Sequence, residues 1–549
     1  MSTFPWLTVT IAIPAVGALA LAVMPGASAG ASEDDQRSRG QLAKVIALVF
    51  SLLTLAVTIA MIVAFKPGGP AFQFTQTYQW IPQFGIHYAV GVDGIGLVLI
   101  GMTAVLMPVV VLASWNDADP RAAAAAPSAN GTAPAGGVPP RYSVKTYFAW
   151  MLLLEAMVIG LFAATDVFLF YVLFEAMLVP MYFMIGSYGT ERRRYAAAKF
   201  LLYNLLGGLL MLVAVIALYV YATRSAVTGH HGTFLFNVLI HVPLSPTVSK
   251  WLFLGFFIAF AIKAPLWPFH TWLPDSADAA QPGAAVLMLG MMDKVGTFGM
   301  LRYCFELFPA GAKYFTPLVI TLAVISVLYG AIVAIGQAGL KRLMGYISIS
   351  HFGLIVLGIF VMTTQGVSGA TFYMVNHGFV TGALFLMVGF LIVRRGSDRI
   401  ADFGGVQSVA PLLAGLFLVA GLAGLSLPGL SPFVSEFLVL LGTFTKYKVA
   451  AVFATANIVL AAIYILWMYQ RTMNGPVRDG VAGMKDLRPR ELLAVVPLVV
   501  LLIGAGVYPK PVLDIINPAV QATMSQVHTT NPVPPHPAPG YTAQKGVAP

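Results

Sequence analysis

Runs of about 20 apolar residues, separated by short polar stretches, recur along almost the whole chain. Each is long enough to cross the hydrocarbon core of a bilayer as a helix. They fall near 4–24, 42–64, 90–114, 144–163, 166–187, 196–222, 250–270, 283–303, 314–337, 343–363, 368–393, 411–445, 450–470 and 492–508. This pattern predicts an all-α polytopic membrane protein of about 14 transmembrane helices. The run at 411–445 is too long for one straight span and is interrupted by Leu427-Pro428-Gly429-Leu430-Ser431-Pro432, so it is one broken helix, the twelfth. Pro265 and Pro268 interrupt the seventh in the same way. The two breaks lie five spans apart. A unit with an odd number of crossings ends on the opposite side, so its repeat is inverted, and broken helices at matching positions mark an ion or substrate path near the midplane.

The implied organisation is as follows. Residues 1–115 carry helices 1–3, 116–140 form an Ala/Pro/Gly-rich loop, and 141–305 form a first five-helix unit, helices 4–8. Residues 312–471 form the inverted second unit, helices 9–13, 490–510 form helix 14, and 511–549 form a Pro-rich tail. Neither 116–140 nor 527–549 has the large apolar residues needed for a packed core. The segment at 4–24 precedes Ala27-Ser28-Ala29, which looks like a cleavage site. No Lys or Arg precedes Arg37, however, so the segment reads as a retained first helix.

Composition agrees with the pattern. Hydrophobic residues make up 58% and charged residues 9% of the 549 residues, far from the roughly 25% charge of soluble domains. The net charge of +10 therefore points to loops at a membrane surface, not to nucleic acid. Of 31 Lys and Arg, 20 fall in the odd-numbered loops. Nine fall in the even-numbered loops and the termini: Lys66, Arg224, Lys250, Arg302, Lys313, Lys446, Lys448, Lys510 and Lys545. This bias puts the odd loops in the cytoplasm and both termini outside, in the inner membrane of a bacterium. The single cysteine, Cys304, excludes disulfides and iron–sulfur clusters held by this chain alone. No nucleotide, redox or metal-binding pattern is present, so no cofactor is expected in this chain.

What remains is a short set of ionisable residues inside the spans, where each costs about 2.5–3.5 kcal/mol or more and is a functional candidate. They are Glu175 on helix 5, Lys263 on helix 7, Lys294 on helix 8, His351 on helix 10, His377 on helix 11 and Glu436 on helix 12. Glu155, Asp166, His270 and Asp293 are further candidates. Lys263 precedes Pro265, whose missing N–H makes room for water and for the ammonium. A nearby carboxylate such as Glu175 would hold that ammonium charged, and separating the pair would release a proton. Glu436 follows the second break as Lys263 precedes the first. The histidines titrate near neutral pH, as a relay requires. One ionisable group per central helix suggests a polar line across the membrane plane.

The same residues carry a resemblance. Asp166-Val167-Phe168-Leu169-Phe170-Tyr171 through Glu175-Ala176-Met177-Leu178-Val179-Pro180-Met181-Tyr182 resembles helix 5 of the antiporter-like subunits of respiratory complex I. Lys263-Ala264-Pro265 and His270-Thr271-Trp272-Leu273-Pro274-Asp275 resemble helix 7 of that family. Lys294, Ser348-Ile349-Ser350-His351-Phe352-Gly353, His377-Gly378 and Gly429 to Glu436-Phe437 follow in the family's order. The similarity runs from about 90 to 510. A Glu at 436 and a tail without a long lateral helix are similar to the M-type branch. The resemblance implies a proton-translocating subunit of an NADH–quinone oxidoreductase, with Glu175 and Lys263 as input pair, Lys294 as central relay and Glu436 as terminal site, connected by His351 and His377. It implies NADH, flavin, iron–sulfur clusters and quinone in partner subunits, with L-, N- and K-type chains as membrane neighbours. The 116–140 insertion and Asp293 beside Lys294 depart from the family pattern. A subunit of a multisubunit sodium/proton antiporter and a non-pumping scaffold are the rival readings.

Overall fold

A computed structural model describes residues 4–25, 33–118, 143–190, 192–529 and 531. The helices follow the hydropathy runs: α1 (Trp6–Val23), α2 (Glu33–Ala64), α3 (Gly94–Ala113), α4 (Val144–Ala163), α5 (Val167–Ala176 and Leu178–Tyr188), α6 (Arg193–Thr223) and α7 (Pro246–Lys263 and Trp272–Ala279). Then come α8 (Pro282–Phe305), α9 (Pro309–Ile335), α10 (Leu340–Phe360), α11 (Thr364–Arg395), α12 (Pro411–Gly424 and Ser431–Lys446), α13 (Lys448–Met473) and α14 (Pro489–Val507). Among the described residues, thirteen are long and apolar enough to cross a membrane, and the first half of broken α12 is a shorter apolar helix. The core sits around α8, which is wholly buried, and α10 and α11, which are nearly so. By contrast, α2, α13 and α14 bury about a third of their residues or less and present apolar side chains outward, as lipid-facing helices do.

Three features differ from the sequence reading. First, 90–92, the expected start of helix 3, is strand. It belongs to strand β2 (Ile86–Val92), paired antiparallel with β1 (Gln73–Ile81), with Tyr78 opposite Tyr88. The Asp93 side chain accepts from the Gly96 N–H at 2.8 Å and so sets the first turn of α3 after the strand. A 20-residue apolar window cannot separate a buried strand from the helix that follows it.

Second, the segment after α14 is not simply a Pro-rich tail. Residues Lys510–Gln526 form α15, which buries Ile516, Val520, Thr523 and Met524 against α3 and α11. That spacing puts the four on one face. Pro511 lies in the first turn, where its missing N–H costs nothing. The two stretches expected to lack a core, 116–140 and 527–549, fall largely outside the described residues.

Third, Arg302 is not a loop residue. It sits in the last turn of α8, paired with Asp93 at 2.5 Å and with Glu306 at 3.3 Å. The guanidinium also faces the rings of Phe72, Phe236 and Phe298, and the Thr523 hydroxyl donates to Glu306 at 2.8 Å. One buried cluster thus joins α3, α8, α15 and the segment leading into the hairpin.

Candidate functional site

Glu175 and Lys263 are placed by two helix breaks. Pro180 has no N–H for the Ala176 carbonyl, and α5 is interrupted at Met177, just after Glu175. The Glu175 carboxyl lies directly over Gly208 of α6, where a Cβ would overlap Oε1. In α7, Pro265 cannot donate to the Ala261 carbonyl; Leu266 N–H does so instead, at 2.9 Å. The indole of Trp272 donates to the Ile262 carbonyl at 2.9 Å, which ties the two halves of α7 across the gap. Lys263, fully buried, ends the first half. Its ammonium stands 4.5 Å from the Phe174 ring centroid and has no hydrogen-bond partner. Glu175 and Lys263 lie within electrostatic reach of each other but not in an ion pair. The two residues expected to pair are thus brought near each other but do not touch.

Since only glycine leaves room for the Glu175 carboxyl, Gly208→Ala is expected to push the carboxyl aside while the fold survives. A several-fold loss of proton translocation at normal assembly, measured by dye quenching in membrane vesicles, is the expected result.

Lys294 follows a π-helical turn, Met288–Met292, in which Asp293 N–H bonds back to Met288 rather than to Leu289. The freed Leu289 carbonyl accepts from the Lys294 ammonium. π-Turns inside α-helices gather at functional positions. Asp293 is fully buried, has no hydrogen-bond partner on either oxygen, and lies within electrostatic reach of both Lys263 and Lys294. It bridges the gap between the two lysines.

From Lys294 a row of polar side chains leads toward Glu436. Its ammonium is 2.7 Å from Nδ1 of His377 on α11. The His377 and His351 rings lie 5.3 Å apart, at 86° to each other. Nε2 of His351 is 3.5 Å from the hydroxyl of Tyr464 on α13. Tyr464 and Tyr373 both neighbour Glu436, which also has Ser426 and Asn457 beside it. Glu436 is 5% exposed and follows the break in α12, where Ser426 and Gly429 take positive φ of 59° and 94°. Asn376 of α11 holds that break, donating to the Ser431 carbonyl at 3.0 Å and the Ser435 hydroxyl at 3.2 Å. The Ser350 hydroxyl donates to Asn457 at 3.0 Å.

The remaining candidates lie off this line. Glu155 is fully buried on α4 with neither oxygen hydrogen-bonded. Asp166 caps α5, accepting from Phe168 and Leu169 N–H at 2.9 Å and from His87 N–H at 3.0 Å. Burial raises its carboxyl above the ordinary range, and these N–H groups oppose the rise. His270 sits within the gap of α7, 4.9 Å from the Tyr329 ring. Sequence reasoning missed Tyr373, Tyr464, Ser426 and Asn457. Only Asn457, an amide within an apolar span, carried a usable signal.

The chain is similar to known proteins over almost its whole length. The model of the NADH:quinone oxidoreductase/Mrp antiporter transmembrane family matches residues 164–461. NADH-quinone oxidoreductase subunit M of Mycobacterium tuberculosis is 52% identical over 99% of both chains. That of Rhodobacter capsulatus is 37% identical over 95% of this chain and 97% of its own. Among solved structures, a chain of respiratory complex I from Thermus thermophilus superposes with a TM-score of 0.81 at 29% identity, covering 95% of this chain and all of its own. A chain of the Mrp complex of a Dietzia species shares the fold, with a TM-score of 0.79 at 20% identity over 96% of this chain. The chain belongs to the NADH:quinone oxidoreductase/Mrp antiporter family, as a member of its NADH-quinone oxidoreductase subunit M branch.

Proposed function

We propose that this chain is a proton-translocating membrane-arm subunit of an NADH:quinone oxidoreductase, and that protons move along Glu175, Lys263, Asp293, Lys294, His377, His351, Tyr464 and Glu436. What supports this reading is the row of titratable side chains that leads from Lys294 through His377, His351 and Tyr464 toward Glu436. Each is a group that can both give and take a proton. Glu175 and Lys263 form the input pair: with the pair apart, Lys263 can release its proton toward Asp293 and Lys294. Glu436 is the terminal group, at a helix break where water can reach it.

The chain itself provides no electron-transfer group in this reading. NADH, flavin, iron–sulfur clusters and quinone belong to partner subunits, and L-, N- and K-type chains flank it in the membrane. The Lys and Arg bias puts the odd loops in the cytoplasm of a bacterium and both termini outside.

Glu436→Gln tests the terminal role. NADH-driven proton uptake in inverted vesicles is expected to fall at least tenfold, since positioned proton-transfer groups contribute about a hundredfold or more. Full uptake at normal assembly overturns it. The Mrp-type antiporter reading shares only the fold at 20% identity. It predicts antiporter chains, and no NADH dehydrogenase chains, among co-purifying polypeptides.

A further inference from the structure

Among the nine basic residues of the even loops and termini, four gather at one corner: Lys250, Lys313, Lys446 and Lys448. They sit at the first turns of α7, α9 and α13 and the last turn of α12. Such crowding is unexpected on the face that is poor in Lys and Arg. Among the described residues, none of the four forms an ion pair with a carboxylate. Lys313 and Lys446 act on each other as like charges. Lys250 stands 3.5 Å over the Tyr314 ring, and Lys313 donates to the His528 carbonyl at 3.3 Å. Four cations held together without an anion are a site that lacks its counter-charge.

Immediately below them a groove of about 710 Å³ runs between α9 and the α12–α13 junction. Ile320, Val324, Ile325, Val449 and Phe453 line it, and Lys446 and Lys448 stand at its rim. Val449 and Phe453 are exposed. A ligand that satisfies both parts has an anionic head and a long apolar body. A free phosphate would leave the groove uncovered. A zwitterionic lipid would leave the lysines uncompensated. Clusters of Lys beside membrane helices take anionic lipid headgroups.

We propose that this corner is a binding site for an anionic glycerophospholipid, with the phosphodiester between Lys446, Lys448 and Lys313 and an acyl chain in the groove of Ile320, Val324 and Phe453. The proposal goes beyond proton transfer and does not depend on it. The site also places a bound lipid across the junction of α9, α12 and α13, next to the helix that carries Glu436.

The test uses the whole complex in phosphatidylcholine vesicles containing a small fraction of phosphatidylglycerol with a photoreactive acyl chain. After illumination, labelled peptides are mapped by mass spectrometry. Label is expected on residues 317–325 and 449–453. The same probe with a choline headgroup is expected to label them weakly. In the double variant Lys446→Gln/Lys448→Gln, labelling is expected to fall roughly tenfold or more, since each lysine near a headgroup is worth about fivefold in affinity. Equal labelling by the two headgroups, or unchanged labelling in the variant, overturns the proposal. So does absence of lipid label when a residue of the groove cross-links to another polypeptide, which would make the occupant a protein. None of these readouts depends on proton pumping, so failure here is distinct from failure of the relay.

Discussion

Replacing Lys263 by Ala is expected to reduce NADH-driven proton translocation in inverted membrane vesicles on the order of a hundredfold, with electron transfer from NADH to ferricyanide retained as a sign of assembly. The reason lies in the geometry of the break in α7. Lys263 is the last residue of the first half and is fully buried, and its ammonium is within electrostatic reach of both Glu175 and Asp293. Without it, no titratable group joins the input carboxylate to the central lysine. A purely structural cation makes a different prediction. Arg in place of Lys263 would preserve the charge and the cation–π contact with Phe174, and would restore a structural role. Arg does not give up its proton in proteins, so a relay stays blocked. The expected result is that Lys263→Arg pumps no better than Lys263→Ala. Recovery of pumping in the Arg variant would sink the relay role.

Arg302→Met is expected to have the largest effect on stability. The guanidinium neutralises Asp93 at 2.5 Å and Glu306 at 3.3 Å in a site where side-chain exposure is 10% or less. Removing one partner of a buried ionic cluster costs about 3–5 kcal/mol, because the remaining charge is stranded. Asp93 also sets the first turn of α3, and Glu306 receives the α15 hydroxyl of Thr523. The loss should therefore spread to the hairpin and to α15. The subunit is expected to be depleted from the membrane arm, as read by immunoblot of the purified complex. Thr523→Val, which removes only one hydrogen bond to the cluster, is expected to cost about 1 kcal/mol and to leave assembly intact. If Arg302→Met assembles as well as Thr523→Val, the cluster does not hold these elements together.

The sequence by itself determined the spans, the two broken helices and the identity of the buried charges. It could do so because the bilayer imposes a one-dimensional rule: about 20 apolar residues per crossing, with few charges tolerated inside. Glu175, Lys263, Lys294, His351, His377 and Glu436 stood out as violations of that rule, and Pro265, Pro428 and Pro432 removed backbone donors wherever they were placed. The hairpin at 73–92 was hidden because the apolar end of its second strand, residues 89–92, runs on into the apolar helix that follows. The helix at 510–526 was hidden because its two prolines look like breakers until Pro511 is seen in the first turn.

Only the tertiary structure decided the order of the line. Whether His377 or His351 stands nearest Lys294 depends on how α10 and α11 rotate about their axes against α8, and no local pattern encodes that rotation. The same holds for Tyr464 and Tyr373. A tyrosine in a membrane helix is unremarkable until neighbouring helices bring a histidine to its hydroxyl and a carboxyl group into its surroundings. Asp293 changed in meaning for the same reason. Beside Lys294 in sequence it was one further candidate and a departure from the family pattern, but the Lys294 ammonium goes to the Leu289 carbonyl and His377, and both Asp293 oxygens are left without a hydrogen-bond partner, within electrostatic reach of two lysines. Which polar groups exist follows from residue type and hydropathy. Which of them meet follows from helix packing, because contacts between helices are made by residues far apart in the chain.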